Sequence, residues 1–65
     1  MPHVTIELLE GRTTEQKAAV ARAVTDALVD LAGSKPGDVD IVFVDVASSN
    51  WANAGRLLSA PPDPR

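Results

Sequence analysis

Apolar and polar residues alternate at the start of the chain: Val4, Ile6 and Leu8 are interleaved with His3, Thr5 and Glu7. A period of two marks a strand with one covered face, and it predicts a β-strand over about residues 2–9, ended by Gly11. Beyond Thr13 the period lengthens. Val20, Val24, Ala27, Leu28 and Leu31 fall at i, i+4, i+7, i+8 and i+11, the apolar stripe of a helix over about 14–32. Thr13 and Gln16 have the spacing of a capping box, and Glu15 suits the positive end of the helix dipole. Gly33 supplies a left-handed cap, Pro36 prevents continuation, and Arg22 and Asp26 are placed to pair on the wet side. Residues 39–46, "VDIVFVDV", are β-branched and apolar on both faces apart from Asp40 and Asp45, as in a strand covered on both sides. The tail, 47–65, is rich in turn formers, and its last residues, "PPDPR", are expected to be mobile or packed on a neighbour.

Two strands separated by a helix form a βαβ unit with parallel strands and a right-handed crossover. The whole chain, 1–65, reads as one domain. One helix covers one face of a two-stranded sheet, so the other face and both edges need a partner. A chain this short buries only about 60% of its unfolded surface. The sequence contains no cysteine, so no disulfide can supplement that core. With 45% hydrophobic residues it is nonetheless rich enough to fold, and self-association is the expected solution.

The net charge of −3 opposes binding to nucleic acid or an anionic membrane, which needs a basic face. Phe43 and Trp51 are too few to stack bases. A single histidine, His3, and no cysteine argue against a metal centre. The opening lacks the cationic start of a signal peptide, and no run approaches the length of a membrane span. A soluble, cytoplasmic protein is expected.

No Ser-His-Asp set and no phosphate-binding glycine loop can be assembled. What chemistry there is centres on Pro2. Proline fits the first residue of a strand because it has no N–H to offer the ladder. Loss of Met1 would also leave it a free secondary amine. An α-amino group titrates near about 7.7–8.0, far closer to neutrality than a lysine, and an apolar pocket or a nearby cation lowers it further. The ring holds that nitrogen stiffly, as a general base requires. Arg12, just past the first strand, is either a solvated charge or a fork for a carboxylate. Trp51 either plugs a core or interface or walls a pocket. Asp40 and Asp45, five apart, fall on opposite faces of their strand and do not form a dyad.

Proline behind Met1, then "VTIELLEGRTTEQK", then a valine-rich strand and "NWANAG", resembles the 4-oxalocrotonate tautomerase family to about Leu58. The resemblance implies an α+β fold in which βαβ protomers dimerise into a four-stranded sheet backed by two helices. Three such dimers form a hexamer. It implies a tautomerase without metal or cofactor, acting on a small carboxylate, with Pro2 as general base. Arg12 would hold the substrate carboxylate, the Leu9 backbone N–H would bond the substrate, and Trp51 would wall the pocket. At the position of a second family arginine, which polarises the substrate oxygen, this chain carries Asp40. Losing such stabilisation commonly costs about 2.7–4 kcal/mol, and a carboxylate there favours a monoacid or aryl enolpyruvate over a diacid. Two alternatives stand beside this reading. In one, Pro2 acts as general acid in a hydratase, dehalogenase or decarboxylase; in the other, the chain is a non-catalytic subunit of a mixed oligomer.

Overall fold

The computed structural model describes residues 1–60, so the closing "PPDPR" lies outside the described residues. Strand β1, His3–Leu9, leads through Gly11 and Arg12 into helix α1, Thr14–Ala32. A single 3-10 turn, Pro36–Asp38, precedes strand β2, Asp40–Val46. β1 and β2 pair in parallel, running from His3 opposite Asp40 to Leu9 opposite Val46.

The ends of α1 are fixed as its sequence requires. The Thr13 hydroxyl accepts from the Gln16 N–H at 3.1 Å, and the Gln16 side chain accepts from the Thr13 N–H at 2.9 Å. Gly33 closes the helix in the left-handed region, at φ 71°. Gly11 turns the chain out of β1 at φ 116°, a conformation that side chains disfavour, and so launches Arg12 from the strand end. A Thr13→Ala protein is expected to lose about 1 kcal/mol of stability per chain, seen as a lower urea midpoint at fixed protein concentration.

Val4, Ile6 and Leu8 of β1, with Ile41 and Phe43 of β2, share the half-buried face of the sheet. Against it lie Lys17, Ala21, Val24, Thr25, Leu28 and Val29 of α1, the half-buried positions of the helix. The covered stripe therefore includes Val24 and Leu28 as expected, and Val20, though 43% exposed, borders a cavity against the sheet; Ala27 and Leu31 are turned away, Leu31 at 87% exposed. Lys17 Nζ reaches Asp45 Oδ2 at 2.8 Å and ties α1 to β2 on this face. The expected Arg22–Asp26 pair is not formed; both residues are exposed, where an ion pair scarcely offsets the entropy of holding two long side chains.

The opposite face is open within one chain. Val42 and Val44, expected to be covered on both sides, are 44% and 39% exposed. The tail is not merely loop. After a 3-10 turn, Ser48–Asn50, it forms a short hairpin of β3, Ala52–Asn53, and β4, Arg56–Leu57. Its two-residue turn, Ala54–Gly55, has positive φ at both positions (52° and 79°), the requirement of the hairpin turn whose twist matches the strands. Among the described residues none is buried. The radius of gyration is 15.9 Å, against about 11 Å for a compact chain of this length.

Candidate active site

Two backbone hydrogen bonds at the ends of the β1–β2 ladder set its phase. The Asp40 N–H donates to the Pro2 carbonyl at 3.0 Å, and the Glu10 N–H to the Val46 carbonyl at 3.0 Å. In a parallel pair, alternate residues turn their backbone groups toward the neighbour. Pro2, Val4, Ile6, Leu8 and Glu10 therefore face β2. His3, Thr5, Glu7 and Leu9 turn their N–H and carbonyl groups to the free edge of β1. The Leu9 N–H named from the sequence is thus aimed outward, available to a ligand or to another strand.

The remaining site residues divide between the two ends of the sheet. Pro2 is half-buried at the start of β1, beside Asp40, with Met1 exposed ahead of it. While Met1 is attached, the Pro2 nitrogen is an amide. Arg12 lies beyond the other end of β1, across seven strand residues, or about 23 Å at a rise of about 3.3 Å each. It lines an apolar cavity of about 110 Å³ with Ile6, Leu8, Val20 and Phe43, on the helix side.

Trp51 is half-buried at the Arg12 end, but on the open face, in a hollow shared with Glu7, Val46, Asn50 and Ala52. One chain thus brings Leu9, Arg12 and Trp51 to one end of the sheet and leaves Pro2 at the other. No strand of seven residues can fold its two ends together, so a site using both Pro2 and Arg12 needs two copies. Strand length alone carries the signal that these residues cannot form one cluster within a single chain.

Asp40 and Asp45 do fall on opposite faces. Asp45 is on the helix side with Lys17, whereas Asp40 is exposed on the open side with His3, its partner in register. His3 lies 3.4 Å, Nε2 to Oγ1, from Thr5 on the same face. Among the described residues, no helix is long and apolar enough to cross a membrane.

The family model described as "Tautomerase enzyme" matches residues 2–60. A 2-hydroxymuconate tautomerase of Comamonas testosteroni is 46% identical over 55 residues, spanning 85% of this chain and 87% of that protein. The crystal structure of YwhB, a homologue of 4-oxalocrotonate tautomerase, superposes with a TM-score of 0.88 at 33% identity, covering 94% of this chain and 100% of its own. A heterohexamer 4-oxalocrotonate tautomerase from Chloroflexus aurantiacus J-10-fl superposes with a TM-score of 0.86 at 32% identity, covering 91% of this chain and 95% of its own.

Proposed function

The chain belongs to the tautomerase family, and from that premise we propose that it isomerises a small enol or dienol 2-oxo acid with Pro2 as the base. One observation carries this reading: Pro2 and the Leu9–Arg12 segment stand at opposite ends of β1, whose outer edge is unpaired among the described residues. If two copies join β1 to β1 antiparallel about Ile6, the strand midpoint, the Pro2 of each lies alongside the partner's Leu9–Arg12 segment. The result is a four-stranded sheet with two equivalent sites, as two-fold symmetry requires. Open apolar positions at Val42 and Val44, and the absence of any buried residue among the described residues, support further assembly of such dimers into a hexamer of identical chains.

In that site the Arg12 guanidinium grips the substrate carboxylate through two parallel N–H donors and draws electron density toward it. From a 2-oxo acid the Pro2 nitrogen accepts a proton from one carbon, the electron pair delocalising toward the 2-oxygen; from a 2-hydroxy-dienoate it accepts the hydroxyl proton, the oxygen's electron pair forming the carbonyl. In both cases the same nitrogen returns the proton at carbon, where the displaced double-bond electrons form the new C–H bond, so the base is regenerated. The Leu9 N–H donates to a substrate oxygen, and Trp51 closes the pocket to water. With Asp40 where a second cation would neutralise the far end of a diacid, the preferred substrate has a single carboxylate. No step calls on a metal or cofactor.

The reading requires the chain to begin at Pro2. Intact mass measured on purified protein is expected to be lighter than the encoded chain by one methionine residue, with ketonisation of 2-hydroxy-dienoates by the same sample. Full-length mass in an active sample would remove Pro2 from the mechanism.

A further inference from the structure

Asp40 holds an unusual position for an exposed carboxylate. Its N–H is bonded to the Pro2 carbonyl at 3.0 Å, and its register partner is His3, the next residue along. Strands in a sheet lie about 4.7–4.9 Å apart, so the short Asp40 side chain starts about one strand spacing from the chain's first residues. Among the described residues the Asp40 carboxylate has neither an ion-pair nor a hydrogen-bond partner, whereas Asp45 on the same strand is held by Lys17.

We propose that Asp40 is the counter-ion of the Pro2 ammonium, a positioning residue that holds the proton on the nitrogen between its removal from one carbon and its return to another. This rests on Pro2 being the base, and it gives Asp40 a part in the reaction beyond charge exclusion. An opposite charge within about 4–6 Å favours the charged form of an amine, so the carboxylate opposes the lowering that an apolar pocket imposes. Other charges gather at this end. His3 lies on β1, Lys35 and Asp38 flank and close the 3-10 turn, and Asp30 sits in the last turn of α1, whose C-terminus adds partial negative charge. Lys35, and His3 when protonated, act against Asp40; Asp30 and Asp38 act with it. Among these described residues only Asp40 is bonded to Pro2, through its backbone N–H to the Pro2 carbonyl.

The sign is definite. A base gains activity as pH rises through its midpoint, and a carboxylate that favours the ammonium moves that midpoint upward. In Asp40→Asn, whose backbone bond to Pro2 persists, the rising limb of kcat/KM is expected at lower pH by about 0.5–1 unit. Activity on the acid side would then be about 3- to 10-fold above the parent. Asp40→Glu should keep the parent midpoint. A His3→Gln background removes the imidazole from the titration.

NMR titration of the labelled Pro2 nitrogen follows the same midpoint without turnover, because every other proline nitrogen in the chain is an amide. This serves if a variant is too slow to assay. A midpoint that stays in place or rises in Asp40→Asn overturns the proposal. Should Pro2→Ala instead retain full activity, the base assignment itself fails, and the two failures are distinct.

Discussion

Pro2→Ala is expected to lower kcat for ketonisation of a 2-hydroxy-dienoate by at least about 100-fold, the lower range of what a positioned acid–base group contributes. Alanine in this position still leaves an amine after Met1 is lost, so the loss measures the stiffness and basicity of the ring nitrogen rather than the presence of nitrogen. The fall should appear in kcat and kcat/KM together with little change in KM, because proton transfer matters only in the transition state. Protein that keeps Met1 should be inactive altogether, since an amide nitrogen offers no lone pair to a proton. An unchanged kcat in Pro2→Ala, with the assembly intact by sedimentation, would dismiss the base.

Arg12→Ala is the second large effect. Removing the fork that holds the carboxylate should reduce kcat/KM by about 10- to 100-fold, mostly through KM; Arg12→Lys should recover only part of it, because an ammonium cannot make the paired donation. The more incisive experiment combines the two. Pro2→Ala and Arg12→Ala chains are each defective alone, but unfolding and refolding them together in equal amounts creates mixed dimers. In each, one site pairs the intact Pro2 of one chain with the intact Arg12 of the other. If half the dimers are mixed and each carries one sound site of two, about one quarter of the parent activity returns under two-fold pairing. A mixture no more active than its components would show that Pro2 and Arg12 do not meet across subunits.

Much of the protomer was legible in the sequence because its signals are local. The alternation from His3 to Leu8 gave the strand and the covered face, and Thr13, Gln16 and Gly33 gave both ends of the helix, through bonds that link neighbours within a few residues. The helix face is only partly given by periodicity. Val20, Val24 and Leu28 of the apolar stripe do face the sheet side, but Ala27 and Leu31 are exposed and Lys17, Ala21, Thr25 and Val29 are half-buried instead. A helix whose apolar positions exceed what one sheet can cover gives two candidate stripes, and periodicity does not choose between them.

The hairpin in the tail escaped notice because its turn places Ala54, not asparagine or glycine, at positive φ. The candidate residues Pro2, Leu9, Arg12 and Trp51 can be placed along the chain from the sequence. In the proposed dimer they would meet only through contacts between chains, which no pattern along one chain encodes.

Since none of the described residues is fully buried, a chain assembled as proposed would draw much of its stability from its copies. Folding and association then become a single event of higher molecular order, and the free energy per chain has meaning only at a stated concentration. Selection on such a molecule acts less on a core than on the edges and faces where copies meet, so a substitution far from any substrate can silence the enzyme by thinning the population that is folded at all.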